Sequence, residues 1–203
     1  MVYYEFTTNK KGEYVRNTLK NWNPADGQRY LQADAASNYD ALYRERAIFE
    51  VACWAHARRK FFDVAKQSPA AKTAHAAVAR INQLFDIERE SNTASETHEQ
   101  RLSLRESQAK PILAELKNWL ESELRELLPN TPTALAIGYC LRHWLTLTRY
   151  LEDGRTKNHN NAAERALRVV VVGRRNWLFA GSEIGGCVFL PKLPCCGICT
   201  AQN

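Results

Sequence analysis

The spacing of apolar residues divides the chain into a strand-rich beginning and a long helical middle. Short apolar runs bounded by turn-forming or charged residues predict strands over residues 2–6, 30–34 and 48–53. Residues 14–22, between the first two strands, are predicted as a short helix that ends before an Asn-Pro sequence. From Trp54 to Lys66 the apolar residues recur at helical spacing, which predicts a longer helix.

The middle of the chain is predicted to be almost wholly helical. A polar segment at 91–100 is a loop or a helix start, Pro111 suits the first turn of a helix, and Pro129 and Pro132 mark another boundary. We therefore predict an α-helical module over residues 70–152, between two halves of an α/β domain. The apolar residues at helical spacing are Ala74, Val78, Ile81 and Phe85, then Leu113, Leu116, Leu120, Leu124 and Leu127, then Ile137, Leu141, Trp144, Thr148 and Leu151.

After this module, residues 153–160 are predicted as a loop and 161–168 as a helix.

The chain has 203 residues, of which 45% are hydrophobic, so it can bury a real core and is not of the disordered or disulfide-scaffold class. No apolar run is long enough to span a membrane, and the first residues lack the layout of a signal peptide. We expect a cytoplasmic protein without a membrane partner.

The distribution of charged residues gives the first indication of function. The formal net charge is +6, and six basic residues lie between Arg155 and Arg175 with a single acid, Glu164. A solvated basic face and a surface for the phosphates of nucleic acid both fit this pattern, and the concentration of charge favours the second. The six basic residues are Arg155, Lys157, Arg165, Arg168, Arg174 and Arg175.

Two carboxylates are candidates for chemistry. Glu164 fits a capping box that begins at Asn161, or it is a metal ligand. Asp34 ends a predicted strand, where an α/β sheet commonly places catalytic groups, although many such aspartates only cap a turn. Taken together, Asp34 and Glu164 could hold Mg²⁺ for phosphoryl transfer. Cys53 and His56 have the spacing of half a zinc site, but a second pair of ligands is lacking, and we interpret them as structural.

Four motifs occur in order along the chain, and together they resemble the catalytic domain of bacterial transposases of the insertion sequence 66 family. They are Tyr30-Leu-Gln-Ala-Asp-Ala, Cys53-Trp-Ala-His-Ala-Arg-Arg-Lys-Phe-Phe, Asn160-Asn-Ala-Ala-Glu-Arg-Ala-Leu-Arg and Gly173-Arg-Arg-Asn-Trp-Leu-Phe-Ala-Gly-Ser. The resemblance covers roughly residues 2–186. It implies an enzyme of the DDE type that cuts and joins DNA with Mg²⁺.

The resemblance also assigns residues. It implies that Asp34 is the family's second catalytic aspartate, Glu164 its catalytic glutamate, and Cys53 with His56 its C-x-x-H motif. Asn160 and Asn161 belong to the motif around the glutamate. The implied fold class is α+β and mostly helical, an RNase H-like catalytic domain with an α-helical insertion. The basic residues expected to contact DNA are Arg165, Arg168, Arg174 and Arg175.

The chain departs from the family pattern in three places. The family's first catalytic aspartate has no matching motif, so we expect that the first strands of the fold are missing. After Gly186 the cysteine- and proline-rich sequence resembles translation in a shifted frame, and His159 stands where the family usually has an acid. The expected organisation is 1–69 for the N-terminal part of the RNase H-like domain, 70–152 for the insertion, 153–186 for the glutamate helix and remaining catalytic part, and 187–203 for an aberrant tail.

Three hypotheses about function follow. The first is a fragment of a DDE transposase that does not act on DNA by itself. The second is a remnant that binds DNA without catalysis, and the third is an unrelated helical interaction protein, which leaves the four motifs unexplained. The element ends recognised, and whether the chain forms a homo-oligomer, stay open at this point.

Overall fold

The structure is a computed structural model in which the described residues are 19, 29–32, 43–44, 48–94, 96–162 and 164–165. The predicted strand over 2–6, the predicted helix over 14–22 and the tail from residue 187 lie outside these residues. So do the side chains of Asp34, Arg168, Arg174 and Arg175. The chain divides into two compact units, one of Pro24–Ala36 with Tyr43–Asn160 and one of Met1–Asn23, Ser37–Leu42 and Asn161–Asn203.

Two short strands form a parallel pair in the first of these units. Strand β1 is Arg29–Gln32 and strand β2 is Ile48–Val51, with Arg29 opposite Ile48 and Gln32 opposite Val51. Parallel strands need a long crossover, and the connection through residues 33–47 supplies it. Two of the predicted strands are therefore confirmed. β1 begins one residue before the predicted range 30–34, and β2 begins at the first residue of the predicted range 48–53 and ends two residues before its last.

Helix α1, Trp54–Gln67, follows β2 directly and confirms the predicted helix over residues 54–66. Its buried residues Trp54, Ala57, Phe61 and Ala65 are spaced as one face of a helix requires. The indole of Trp54 is fully buried, and its Nε1 donates a hydrogen bond of 2.8 Å to the Leu147 carbonyl. This bond ties the start of α1 to a residue far along the chain.

Helix α2 is Lys72–Thr93, and helix α3 is His98–Leu104. The Thr97 hydroxyl accepts a hydrogen bond from the Gln100 N–H, and the Gln100 side chain accepts one from the Thr97 N–H, so α3 begins with a capping box. The polar segment 91–100 thus contains the helix start that is one of the two predicted alternatives, and its first residues also complete α2.

A π-helical segment, Arg105–Ala109, joins α3 to helix α4, Lys110–Glu126, without a break in helical structure. Pro111 therefore lies inside a continuous helical stretch rather than at the start of an independent helix. The Lys110 N–H reaches back five residues to the Arg105 carbonyl, which is the wide turn of a π-helix. An internal proline removes a helical hydrogen bond and crowds the preceding turn, so the wide turn accommodates Pro111.

Helix α5, Pro132–Arg142, is capped by Thr131, whose hydroxyl accepts from the Ala134 N–H. Its start agrees with the boundary predicted at Pro129 and Pro132. The short helix α6, Trp144–Thr148, and a 3₁₀ turn at Arg149–Leu151 complete the helical segment. A loop then leads to residues 161–162 and 164–165, which are helical. The described structure is thus mostly helical with a small sheet, an α+β arrangement.

One hydrophobic core joins the strands to the helical segment. Val51, Trp54 and Phe61 belong to the same cluster of buried side chains as residues of α2, α4, α5 and α6. The residues from these helices include Ile81, Leu84, Leu116, Leu120, Ile137 and Leu147, each fully or almost fully buried. Among the described helices, none is long and apolar enough to cross a lipid bilayer.

Candidate functional site

The loop of residues 157–160 lies at the carboxyl ends of both strands. The Gln32 side chain, at the end of β1, donates a hydrogen bond to the Lys157 carbonyl. Beyond the end of β2, the Trp54 N–H donates to the Asn158 carbonyl at 2.9 Å, and the Asn160 N–H donates to Cys53 Sγ at 3.4 Å. Three hydrogen bonds from separate parts of the chain therefore hold this loop in place.

The two candidate carboxylates flank this arrangement in sequence. Asp34 follows Gln32 by two residues and lies outside the described part of the chain, so its predicted approach to Glu164 stays a prediction. Glu164 follows Asn160 by four residues, is half-buried, and lies in helical backbone as the sequence predicts. The segments that lead to Asp34 and to Glu164 are thus joined by the hydrogen bond between Gln32 and Lys157.

Cys53 and His56 lie at the start of α1. Cys53 is buried in the N-cap position, and its sulfur accepts the Asn160 N–H, so the side chain links the helix start to the loop. His56 is half-buried in the first turn, and its N–H donates to the Cys53 carbonyl. These contacts fit the interpretation that Cys53 and His56 have a structural role. That the pair does not bind a metal stays a prediction.

Asn158 is a site residue that sequence reasoning misses. It is fully buried, and its Nδ2 donates to the Leu84 carbonyl of α2 at 3.2 Å. Within the described part of the chain, no donor reaches its Oδ1 or the buried Oδ1 of Asn160. The sequence gives no signal that Asn158 is buried, because the residue lies in a polar loop.

A second group that sequence reasoning misses is centred on Arg105, in the π-helical segment. Arg105 is fully buried and pairs with Glu88 of α2, its Nε lying 2.6 Å from Glu88 Oε1 and its Nη2 2.8 Å from Oε2. The guanidinium also lies over the ring of Tyr150, 5.0 Å from the centroid. Burial raises the pKa of the Tyr150 hydroxyl well above its usual range, and the Glu88 charge adds to this effect.

The loop before residues 157–160 contains another charge pair. Asp153 is almost buried and accepts hydrogen bonds from the main chain and the side chain of Arg155. Burial by itself would raise the pKa of Asp153, but the hydrogen bonds and positive charge of Arg155 outweigh it and hold the pKa below its usual range. Asp153 is therefore ionised at neutral pH and pairs with Arg155, whose side chain remains 45% exposed.

Comparison with known proteins places these features in a family. The model of the family described as "Transposase IS66 family" matches residues 1–187. The chain belongs to this family. The resemblance predicted from the four motifs is therefore confirmed.

Relatives of the same family are long proteins. The chain is 35% identical over 199 residues to the uncharacterized protein y4hP of Sinorhizobium fredii, covering 91% of this chain and 35% of that protein. It is 36% identical to the uncharacterized protein y4qI of the same organism, covering 92% of this chain and 34% of that protein. The chain thus spans about a third of the length of the curated relatives it matches. No solved structure matches it.

In this member of the transposase IS66 family, the described basic surface lies on α1. The helix carries Arg58, Arg59, Lys60 and Lys66 against one acid, Asp63. The Arg58 Nε donates to the Asn82 side chain at 2.6 Å, and its guanidinium lies 5.6 Å from the centre of the exposed Phe62 ring. Of the four arginines predicted to contact DNA, Arg165 is described and exposed, whereas Arg168, Arg174 and Arg175 lie outside the described residues.

Proposed function

We propose that this chain forms part of the catalytic domain of a DDE transposase, with Asp34 and Glu164 as ligands of Mg²⁺. The observation that carries the proposal is the hydrogen-bonded loop of residues 157–160. It joins the carboxyl end of β1, two residues before Asp34, to the segment that continues into Glu164. In α/β sheets, catalytic groups commonly follow the carboxyl ends of strands. The proposed fold is RNase H-like, with residues 70–152 as an α-helical insertion.

The roles of the chain's own residues follow from their chemistry. The bound Mg²⁺ would supply positive charge to the phosphate and lower the pKa of the attacking hydroxyl or water. The Asp34 and Glu164 carboxylates would hold the ion through hard oxygen ligands. Arg165, Arg168, Arg174 and Arg175 would hold the phosphates of the DNA backbone. Lys157 and Arg155 add positive charge on the same stretch of sequence.

We also propose that these 203 residues do not cleave DNA by themselves. None of their aspartates matches the motif of the family's first catalytic aspartate, which would bridge two metal ions. Without such a carboxylate, two divalent cations separated by about 3.5–4 Å lack the ligand that they share. A loss of about 4 kcal/mol in transition-state stabilisation lowers a rate about a thousandfold.

Metal binding tests the assignment directly. We expect the 203-residue chain to bind Mn²⁺, measured from the electron paramagnetic resonance signal of free Mn²⁺, and Asp34→Asn and Glu164→Gln to weaken binding more than about tenfold, the smallest loss typical of outer-shell changes. Glu164→Gln is informative because glutamine also serves in a capping box, so the helix start is kept while the charge is lost. Asp86→Asn, which removes an exposed carboxylate on α2, is the matched control.

Absence of Mn²⁺ binding, or an Asp34→Asn variant that binds like the Asp86→Asn control, would contradict the proposed metal site. A second candidate function then remains, the binding of DNA without catalysis. The specific observation in its favour is the basic surface of α1, which does not depend on either carboxylate. DNA binding that weakens steeply with salt, with no DNA cleavage in Mg²⁺ or Mn²⁺, would support this candidate.

A further inference from the structure

Arg105 makes more polar contacts than its ion pair requires. Besides the two hydrogen bonds to the Glu88 carboxylate, its Nη1 donates to the carbonyls of Tyr150 at 2.6 Å and Asp153 at 3.0 Å. Its Nη2 donates to the Thr156 carbonyl at 2.8 Å. One buried side chain thus binds three main-chain carbonyls in the segment of residues 150–156, which leads directly into the loop of residues 157–160.

Two neighbouring features reinforce this contact. Arg101, one turn earlier on α3, donates from Nη1 to the Gly154 carbonyl at 3.0 Å and from Nε to the Ser91 hydroxyl. Gly154 itself approaches the main chain of His98 so closely that a Cβ there would lie 2.1 Å from the His98 carbonyl oxygen. The segment of residues 150–156 is therefore pressed against α3 and held there by two arginines.

Stability alone does not explain this arrangement. Moving a charged pair out of water is costly, and apolar side chains of similar volume often replace a buried pair without loss of stability. Pro111 accounts for the wide turn, but π-helical turns are also frequent at functional sites, and this one carries Arg105. A buried ion pair at this place becomes intelligible if the position of the segment of residues 150–156 matters for function.

We propose that Arg105 is a positioning residue, which orders the chain from residue 150 to residue 160, directly before the segment of sequence that contains Glu164. The guanidinium fixes three carbonyls, the last of them immediately before Lys157, and the loop of residues 157–160 then meets Gln32, Cys53 and Trp54. The helical segment would thus hold the loop of residues 157–160 in place. The part of this inference that concerns metal binding rests on the proposed function.

Amide hydrogen exchange of the full chain tests the ordering itself. The double variant Glu88→Met with Arg105→Met removes both charges together, so no unpaired buried charge is left to destabilise the fold. We expect amides of residues 150–160 to exchange about tenfold faster or more, as loss of charge-assisted hydrogen bonds predicts, while α1 and α2 keep their protection. Gly154→Ala, which displaces the same segment sterically, is a positive control for the exchange pattern.

Three comparisons make the test decisive. Asp86→Asn with Arg89→Gln removes an exposed ion pair on α2 and should leave exchange at residues 150–160 unchanged. Unchanged exchange in the Glu88→Met, Arg105→Met variant would overturn the proposal, and so would an equal increase in all helices, since that would be a general loss of stability. If this variant does not fold, Arg105→Lys keeps the positive charge without the planar fork and should give the same selective increase.

Mn²⁺ binding separates this inference from the proposed function. If the unmodified chain binds Mn²⁺, the double variant should bind it about 10- to 100-fold more weakly, the range typical of outer-shell changes. Equal affinity in the two proteins would overturn the link between Arg105 and the metal site. If the unmodified chain does not bind Mn²⁺, the proposed function fails, whereas the exchange experiment still decides whether Arg105 orders residues 150–160.

Discussion

At the scale of single residues, buried polar groups determine how distant segments meet. Trp54 is an example, because its indole is fully buried while Nε1 reaches the Leu147 carbonyl and the ring packs edge-on against Trp144 at 5.7 Å. A tryptophan whose N–H is satisfied in this way contributes apolar contact and a directional bond together. Trp54 therefore fixes α6 relative to the start of α1, beside Cys53 and the loop of residues 157–160.

Asp153 leads to a prediction about pH. Because the pKa of Asp153 is lower in the folded protein than in the unfolded chain, the ionised carboxylate stabilises the fold above the unfolded value of about 3.9. This contribution is lost as the pH falls through the lower, folded pKa. We expect Asp153→Asn to lower the free energy of unfolding at pH 7 by about 1 kcal/mol, a modest value because Arg155 is nearly half exposed.

The measurement is urea unfolding of both proteins between pH 7 and pH 2. The difference between the native protein and Asp153→Asn should be constant near neutral pH and should shrink below about pH 4, as the aspartate becomes protonated. A difference that stays the same down to pH 2 would show that the charge of Asp153 is unimportant. A Glu106→Gln variant, which loses an exposed ion pair with Lys110, provides the control.

At the scale of elements, α1 combines two faces with separate tasks. Its apolar face, with Trp54 and Phe61, completes the core, while the opposite side is polar and rich in cations. Arg59 and Lys66 are exposed on the polar side, one on each side of the exposed Phe62. An exposed aromatic ring among cations is suited to the sugar and phosphate groups of nucleic acid.

We expect Arg59→Gln with Lys66→Gln to weaken non-specific binding of duplex DNA. If each side chain contacts one phosphate, the slope of log affinity against log salt should become shallower by about 1.8, since each contact contributes about 0.9. The matched control is Lys110→Gln with Lys117→Gln, which removes the same charge from α4, where each lysine faces a glutamate. Fluorescence anisotropy over a series of salt concentrations measures both slopes.

Equal slopes for the two double variants would show that only the net charge of the protein matters. In that case α1 is not a DNA-binding surface, and Arg165, Arg168, Arg174 and Arg175 remain the proposed phosphate contacts. The result would leave the assignment of Asp34 and Glu164 untouched, because the metal-binding experiment does not use DNA.

At the scale of the whole molecule, the helical segment and the strands share a core. Leu120 of α4 and Phe61 of α1 belong to one cluster of buried side chains, although Leu120 lies within the proposed insertion and Phe61 outside it. A shared core predicts that the proposed insertion unfolds together with β2 and α1. Residues 70–152 would therefore not behave as an independently stable domain.

Leu120→Ala tests this cooperativity. Truncating a fully buried leucine should lower the free energy of unfolding by about 2–5 kcal/mol. Far-ultraviolet circular dichroism, which reports mainly on the helices, and tryptophan fluorescence should give coincident transitions in both proteins. Two separated transitions, with Leu120→Ala shifting only one of them, would contradict the shared core. Leu135→Ala, at an exposed position on α5, is the control.

The sequence by itself determined the elements and the family. Helical and strand periodicities are local, so α1, α2, the turn before α3 and the boundary at Pro132 could be predicted from neighbouring residues. The motifs around Asp34, Cys53 and Glu164 are also contiguous runs, and they were sufficient to predict the family. For the same reason, the role of each carboxylate could be proposed without any knowledge of its surroundings.

Only the tertiary structure decided which polar groups hold these segments together. Arg105 and Asn158 have no distinctive local pattern, and their hydrogen-bond partners are distant in sequence. The partners of Arg105 include Glu88 and Thr156, and the partner of Asn158 is Leu84. The π-helical turn of Arg105–Ala109 is likewise invisible to a periodicity of 3.6 residues, because its hydrogen bond reaches back five residues. Burial makes such partners obligatory, since a polar group without water must find a donor or acceptor wherever the fold provides one.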